Sequence, residues 1–275
     1  MPNTRSVNGV DLYYELNGDS GPSLVLVHGS WVDHHVWDAV VPPLSESFRV
    51  LTYDRRGHSL SERPAGPDSI RDDIADLAGL IKSLGLAPAT IIGNSFGGSI
   101  ALRMASEHPD VVNSLIVNEP PLVSLLAGNP QGQQVLGMIQ ERLAAVEERL
   151  AVGNMEGAAQ YFVEQIAFGE GAWEHIPAEL KKTVTYNGPT FLNELHDPDG
   201  FVVNPAQLQG YSGPVLLTYG EQSPPFLVAI VKMLSNMLPN AELKMYEGTD
   251  HEPHRSQPEK FVAMVTRFVG EKNLT

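Results

Sequence analysis

Short apolar runs alternate with longer segments of helical periodicity along this chain, and this alternation constrains the fold more than any other feature. Runs such as Ser23-Leu24-Val25-Leu26-Val27 are typical of strands buried on both faces of a parallel sheet. Helical stretches follow, for example from Asp68 to Leu84, where Asp68 is the predicted N-cap. We predict strands over residues 12–16, 23–27, 48–53, 89–93, 114–118, 214–219 and 242–246, hence an α/β protein with a mostly parallel sheet flanked by helices.

The alternation stops after Pro120-Pro121, where three helical stretches succeed one another without a strand. They cover residues 131–152, 155–168 and 177–185, and the sheet pattern returns near residue 214. We therefore predict a core of residues 1–119 and 209–275 with a helical cap of residues 120–208 inserted into it. Helices over the carboxyl edge of a sheet would form a lid above the cleft where open α/β sheets bind ligands.

Composition excludes several classes of function. The 275 residues carry a net charge of -15, which repels phosphate backbones and anionic lipids, so we expect no nucleic-acid or membrane partner. The chain has no cysteine, and its amino end lacks the apolar core of a signal peptide. We expect a cytoplasmic protein that binds a small molecule, and a homodimer is one assembly that the sequence allows.

The pentapeptide Gly93-Asn94-Ser95-Phe96-Gly97 follows an apolar strand and opens a helix. A serine on this strand-turn-helix connection projects its oxygen out of the sheet, and flanking glycines let neighbouring backbone approach. A hydroxyl attacks at neutral pH only when a base removes its proton. We predict Ser95 as the nucleophile and His251, in the loop after the last predicted strand, as the base. His254 is the weaker candidate because it starts the following segment.

Acyl transfer to a serine also requires hydrogen-bond donors for the oxyanion. The backbone N–H of Phe96 is one predicted donor, and the N–H of Ser30, in the loop after residues 23–27, is the other. His28 is predicted to support that loop by hydrogen bonds. Trp31 and Phe96 lie beside this chemistry in the sequence and could line an apolar acyl pocket or pack in the core, as could Trp37.

Four ordered motifs make the chain resemble an α/β-hydrolase with a cap domain over nearly its full length. They are His28-Gly29, the run from Asp54 to Ser61, Gly93 to Gly97, and Gly248 to His251 followed by Pro253-His254 and Pro258-Glu259. Ser59 stands where such proteins often have a second glycine. The resemblance implies a mostly parallel sheet of eight strands flanked by helices. It also implies that Asp54 shapes a turn with Arg56 rather than acting in catalysis.

The third triad member is less clear from the sequence. Such hydrolases commonly carry an aspartate where this chain has Ser223, and serine cannot stabilise an imidazolium as a carboxylate does. Glu119 directly follows the strand next to the nucleophile strand, and we prefer it over Glu221 or a Ser-His dyad. The layout is similar to that of some haloalkane dehalogenases and, more closely, of zearalenone-type lactone hydrolases, whose His-Glu-Leu-Pro resembles Asn118-Glu119-Pro120-Pro121.

The sequence gives no sign of a cofactor or metal. Asp33-His34-His35 contains metal-binding residue types, but adjacent side chains in a loop point apart and no third ligand stands out. We therefore expect chemistry that needs neither.

The preferred hypothesis is a serine hydrolase of carboxylic esters or lactones that works through an acyl-enzyme. A carbon-carbon bond hydrolase or a perhydrolase would use a similar triad, and a ligand receptor could share the fold without catalysis. Serine at position 95 argues against haloalkane dehalogenases and epoxide hydrolases, which resemble this fold but normally have aspartate there.

Overall fold

An eight-stranded sheet runs through the computed structural model, which describes residues 3–272. The strands are β1 (Thr4–Val7), β2 (Val10–Asn17), β3 (Ser23–Val27), β4 (Arg49–Tyr53), β5 (Ala89–Asn94), β6 (Val112–Asn118), β7 (Val215–Gly220) and β8 (Ala241–Tyr246). Their order is β1-β2-β4-β3-β5-β6-β7-β8. Pairing is antiparallel from β1 to β4 through β2 and parallel elsewhere, which confirms the predicted fold class.

Helices cover both faces of the sheet. The α-helices of the described chain are α1 (Val41–Ser45), α2 (Ile70–Ser83), α3 (Phe96–Glu107), α4 (Pro130–Ala151), α5 (Met155–Phe162), α6 (Ala172–His175), α7 (Ala178–His196), α8 (Pro205–Gln209), α9 (Pro225–Met237), α10 (Pro253–Ser256) and α11 (Pro258–Lys272). Strand side chains alternate between two cores: Leu24 and Leu26 pack with Phe261 of α11, whereas Val25 and Val27 pack with Ile74 of α2. Burial on both faces explains why these strands are continuously apolar.

Several element boundaries differ from the predictions. Strand β1 was not predicted, since only its last residue, Val7, is buried and it lacks an apolar run. The N-cap of α2 is Ser69, not Asp68: its side chain and that of Asp72 cap each other's backbone N–H groups in a reciprocal capping box. Helix α7 continues to His196 across Pro189, beyond the predicted end at residue 185.

Helices α4 to α8 occupy the chain between β6 and β7, and we call residues 120–208 the helical insertion. Asn187 of α7 is fully buried and joins the insertion to the core by accepting from the Ser59 N–H at 2.8 Å. Arg103 of α3 donates to the backbone carbonyls of Asp199 and Val202 near the insertion's end. The exact bounds of the two units stay a prediction.

Within residues 3–272, no helix combines the length and apolar character needed to cross a membrane.

Ile116→Ala should destabilise the fold by about 2–5 kcal/mol, because it leaves a cavity beneath the central strand β6, where Ile116 is 1% exposed. Urea denaturation would measure the loss. Leu60→Ala is the control: Leu60 is 60% exposed, so we expect a change within about 0.5 kcal/mol. Equal losses in the two variants would contradict this description of the core.

Candidate active site

Ser95 sits in a sharp turn between β5 and α3. Its φ of 54° and ψ of -125° lie outside the regions that residues with a side chain favour. The surrounding backbone holds this conformation: the Ser95 N–H donates to Asn118 O at 2.9 Å, and Ser95 O accepts from the Gly98 N–H at 2.8 Å. The hydroxyl is thereby carried to the carboxyl edge of the sheet, as the pentapeptide predicts.

The glycines of this turn are required by close backbone contacts. A Cβ on Gly97 would lie 2.2 Å from Val27 O, and one on Gly93 would lie 2.3 Å from Gly97 O. Gly29, in the loop after β3, faces Ser95 directly, since a Cβ there would lie 3.0 Å from Ser95 Cβ. The β3 loop and the serine turn are consequently in contact.

Glu119 and His251 are joined by a short hydrogen bond. The distance from His251 Nδ1 to Glu119 Oε2 is 2.5 Å, and the other carboxylate oxygen accepts from the Gly220 N–H at 2.7 Å. Glu119 is fully buried, and its φ of 45° turns the chain directly after β6. Asn118 donates to His251 O at 3.1 Å, which holds the histidine loop against the same strand end.

The environment of His251 favours its protonated form. Burial lowers the pKa of this histidine, but the hydrogen bond and charge of Glu119 outweigh burial and raise it above 6.5. With Nδ1 bonded to Glu119, Nε2 is the ring nitrogen left to exchange a proton with a reacting group. Among the described residues no hydrogen bond joins Nε2 to Ser95 Oγ, a contact that often tightens only when substrate is bound.

The alternative acid, Glu221, contacts a different part of the loop. Its side chain is exposed and accepts from the Gly248 N–H at 2.9 Å. Ser223, at the position where such hydrolases commonly have aspartate, is buried and its hydroxyl has no partner among the described residues. Of these three side chains, only Glu119 contacts the histidine ring.

The two predicted oxyanion donors lie beside Ser95. Phe96 is the first residue of α3 and Ser30 follows Gly29, and neither backbone N–H donates to another group within the described chain. The first N–H groups of a helix are unsatisfied and carry partial positive charge. This arrangement can therefore accept a negatively charged oxygen near the serine.

Two other histidines have structural environments. His28 Nε2 accepts from the Arg55 N–H at 3.0 Å, so Nδ1 carries the proton and donates to Gly29 O at 2.8 Å. This is the predicted support of the β3 loop. His254 is buried against Trp37, with ring centres 4.2 Å apart, and burial lowers its pKa well below 6.5.

Ser95 and His251 line two neighbouring cavities. The larger, of about 450 Å³, is bounded by Gly29, Trp31 and residues of the helical insertion, and Asp250, Glu252 and Arg255 lie on its wall. The smaller, of about 40 Å³, is otherwise almost entirely apolar; its lining includes Ile139, Leu143, Ile166, Phe191, Phe201 and Phe226.

The three aromatic residues named from the sequence have different positions. Trp31 lines the larger cavity and packs on Phe162 and Phe191, with ring centres 5.3 and 4.9 Å away. Phe96 lines neither cavity; its ring contacts the Arg55 guanidinium. Trp37 lies in the core below.

Asp54 is buried and structural in its contacts, accepting from the His34 and Leu60 N–H groups at 2.9 and 3.0 Å. Arg56 pairs with Asp76 at 2.8 Å instead of with Asp54.

Asp33, His34 and Asp54 offer ligand atoms within 4.8 Å of one another, so the expectation that no third ligand accompanies Asp33 and His34 is wrong. These groups are engaged in hydrogen bonds: His34 Nδ1 lies 2.6 Å from Asp54 Oδ1, and Asp33 accepts from Ser59 Oγ at 2.8 Å. The absence of a metal stays a prediction.

Sequence reasoning did not identify Glu194, a buried acid of α7 that contacts both Ser30 and Arg55. No motif surrounds it, and its partners lie 164 and 139 positions away. The predicted helix ends at residue 185, so Glu194 lies outside it and no sequence signal marks this residue.

This fold and this serine turn are those of a hydrolase, and a family model agrees. The model of the alpha/beta hydrolase family matches residues 24–264. The chain belongs to this family.

Sequence identity to individual relatives is low to moderate. The chain is 36% identical to the uncharacterised hydrolase YraK of Bacillus subtilis, over 68% of this chain and 74% of that protein. It is 26% identical to the sn-1-specific diacylglycerol lipase ABHD11 of Mus musculus, over 94% of this chain and 84% of that one. The structure of the enol-lactonase from Burkholderia xenovorans LB400 has a TM-score of 0.77 at 22% identity, covers 98% of this chain and 100% of its own, and shares the fold.

Glu119→Gln should lower the pKa of His251, because it removes the charge that opposes burial. NMR titration of the imidazole would measure the shift, with the resonance assigned by its loss in His251→Asn. Glu221→Gln should leave the pKa unchanged, since Glu221 bonds to Gly248. A larger change in the pKa of His251 in Glu221→Gln than in Glu119→Gln would contradict the observed pairing of His251 with Glu119.

Proposed function

We propose that this protein hydrolyses carboxylic esters or lactones with a Ser95-His251-Glu119 triad. The observation that carries this proposal is the hydrogen bond between buried Glu119 and His251, at the wall of cavities that also contain Ser95. A nucleophile, a base and an acid that orients the base are the components of serine hydrolysis.

The reaction follows from these positions. Ser95 Oγ attacks the carbonyl carbon while His251 Nε2 takes the hydroxyl proton, and the imidazolium is stabilised by Glu119. The N–H groups of Ser30 and Phe96 hold the negatively charged oxygen. His251 then returns the proton to the departing alcohol, leaving an acyl-enzyme. Water, deprotonated by His251, attacks the acyl carbon, and the acid leaves as Ser95 recovers its proton.

Known relatives support ester chemistry without specifying the substrate. One similar protein is named as a diacylglycerol lipase and one structure as an enol-lactonase, so both ester and lactone substrates occur among proteins that resemble this chain. The closer resemblance of the triad layout to zearalenone-type lactone hydrolases stays a prediction. The receptor hypothesis depended on the missing aspartate at Ser223, and Glu119 now supplies a carboxylate in contact with His251.

The two cavities support a substrate with unequal ends. The larger cavity has charged groups on its wall, whereas the smaller one is apolar and, at about 40 Å³, has room for only a few non-hydrogen atoms. We infer that a short apolar group enters the smaller cavity and the bulkier, more polar part of the ester occupies the larger.

Glu119→Gln should reduce kcat for p-nitrophenyl esters by about 10⁴-fold, the effect of losing the acid in a comparable triad. Ser95→Ala should show only the uncatalysed rate, and Glu221→Gln should match the wild type. Each variant needs a thermal melt to show that it folds. Full activity of Glu119→Gln would remove Glu119 from the triad, and inactivity of the wild type on every ester and lactone would favour the receptor hypothesis.

Ile166→Ala should enlarge the smaller cavity and raise kcat/KM for a longer apolar group, relative to a short one, by about tenfold or more. Two ester series would measure this, one with increasing acyl length and one with increasing alcohol length. Ile176→Ala is the matched control because Ile176 lines only the larger cavity. Wild-type tolerance of long chains in both series would contradict the assignment.

A further inference from the structure

Glu194 joins the helical insertion to the loop that carries a proposed oxyanion donor. It lies near the end of α7, and its side chain is 5% exposed. One carboxylate oxygen accepts a short hydrogen bond from Ser30 Oγ, and the other accepts from Arg55 Nη1 at 3.0 Å. Helix α7 of the helical insertion therefore contacts Ser30, the residue that follows Gly29 in the sequence and lies beside Ser95.

Arg55 extends this contact to the second proposed donor. Its guanidinium lies 4.7 Å from the centre of the Phe96 ring, and Nη1 also donates to Gly29 O at 3.3 Å. Asp73 of α2 holds the guanidinium from another side, accepting from Nε at 3.1 Å and from Nη2 at 2.8 Å. Paired bonds of this kind fix an arginine in one orientation. Glu194 thus touches Ser30 directly and Phe96 through Arg55.

We propose that ionised Glu194 is a positioning residue that holds Ser30, and with it the Ser30 backbone N–H, in the geometry that binds the oxyanion. This role rests on the ester hydrolysis proposed above. A hydroxyl bonded to a carboxylate makes a shorter and stronger contact than one bonded to a neutral acceptor. Glu194 lines neither of the cavities that contain Ser95, so it acts through Ser30.

The ionisation of Glu194 changes near neutral pH. Burial raises its pKa, Arg55 and the bond from Ser30 oppose that rise, and the result is a pKa of about 7. The small cavity beside Glu194 is also lined by the charged or titratable residues Arg55, Arg56, His58, Asp68 and Asp73. Burial lowers the pKa of His58 well below 6.5, and that of His28 in the same way, so both stay neutral as Glu194 ionises.

The charge of Glu194 has two opposing effects on catalysis. It strengthens the bond to Ser30, but a negative charge near the oxyanion hole also repels the oxyanion. Arg55 pairs with Glu194 and contacts Gly29, which offsets that repulsion with a positive charge. We therefore expect the positioning effect to be the larger.

Glu194→Gln tests this proposal because it keeps the size of the side chain and removes the charge. At pH 8 we expect kcat for a p-nitrophenyl ester to fall about tenfold with little change in KM, less than the 10²–10³ that removal of an oxyanion donor costs. Below pH 6 the two proteins should converge, because protonated Glu194 and glutamine are both neutral. A constant ratio across pH, equal activity at pH 8, or a faster variant would overturn the proposal.

Glu194→Gln should raise the stability of the fold although it lowers activity. The pKa of Glu194 is about 7 in the folded protein and about 4.5 in the unfolded chain, so the unfolded chain ionises first as pH rises and the fold loses stability between these two values. Above pH 7 both states are ionised and no further stability is lost. Thermal melts should therefore show Glu194→Gln gaining stability over the wild type from pH 5 to about pH 7, with a constant difference from there to pH 9. A variant that loses stability and activity together at every pH would indicate a structural contact only, and would overturn the positioning role.

Asn193→Ala is the matched control, since Asn193 is adjacent on α7 and bonds to Asp68 of the core without contacting Ser30. Its kcat ratio to the wild type should be near one at every pH; a pH-dependent loss equal to that of Glu194→Gln would overturn the proposal.

Modification by a fluorophosphonate separates this proposal from the proposed function, because it requires Ser95 and the oxyanion hole but no ester substrate. If the fluorophosphonate modifies Glu194→Gln about tenfold more slowly than the wild type at pH 8, the positioning role is supported even when no ester is hydrolysed. This loss of rate is again smaller than the loss caused by removing an oxyanion donor. Equal rates overturn it, and an unreactive wild type overturns both proposals.

Discussion

The buried carboxylate of Glu119 is the constraint on which the arrangement of this site depends. Burying a carboxylate away from water is unfavourable unless each of its oxygens accepts a hydrogen bond. Here one oxygen accepts from the Gly220 N–H and the other is hydrogen-bonded to His251. The Gly220 N–H is available because β6 and β7 are parallel neighbours, with Asn118 paired to Thr218, and His251 is in the loop after β8, the next strand of the sheet. Asn118 also bonds to His251 O, so the end of one strand fixes the acid and the histidine loop together.

Most of the sheet could be predicted from the sequence because parallel strands buried on both faces leave a continuous apolar signal. Strand β1 leaves none, since its side chains are mostly exposed and its place depends on pairing with β2. The extension of α7 past Pro189 was equally hidden, because tertiary contacts stabilise it: Asn187 and Phe191 are both buried there. The intrinsic strand and helix propensities of the local sequence predict neither β1 nor the extension of α7.

The residues of the site differ in the same way: some stand in local sequence motifs, whereas others come together only on folding. Ser95 and His251 stand in motifs whose local sequence determines a turn, and Glu119 follows a strand end whose neighbours could be inferred from the strand order expected for this fold. Glu194 of α7 joins Arg55 and Asp73 from a distant part of the chain, and this cluster exists only after folding. Such a cluster carries no sequence signature, although it lies beside the residues proposed to bind the oxyanion.

The Ser223 hydroxyl lies just after β7 and has no hydrogen-bond partner within the described residues. Strands β6 and β7 end side by side, and hydrolases of this fold commonly place the acid after the second of them, whereas the proposed acid Glu119 follows the first. Two neighbouring strand ends thus offer alternative origins for one carboxylate facing the same histidine.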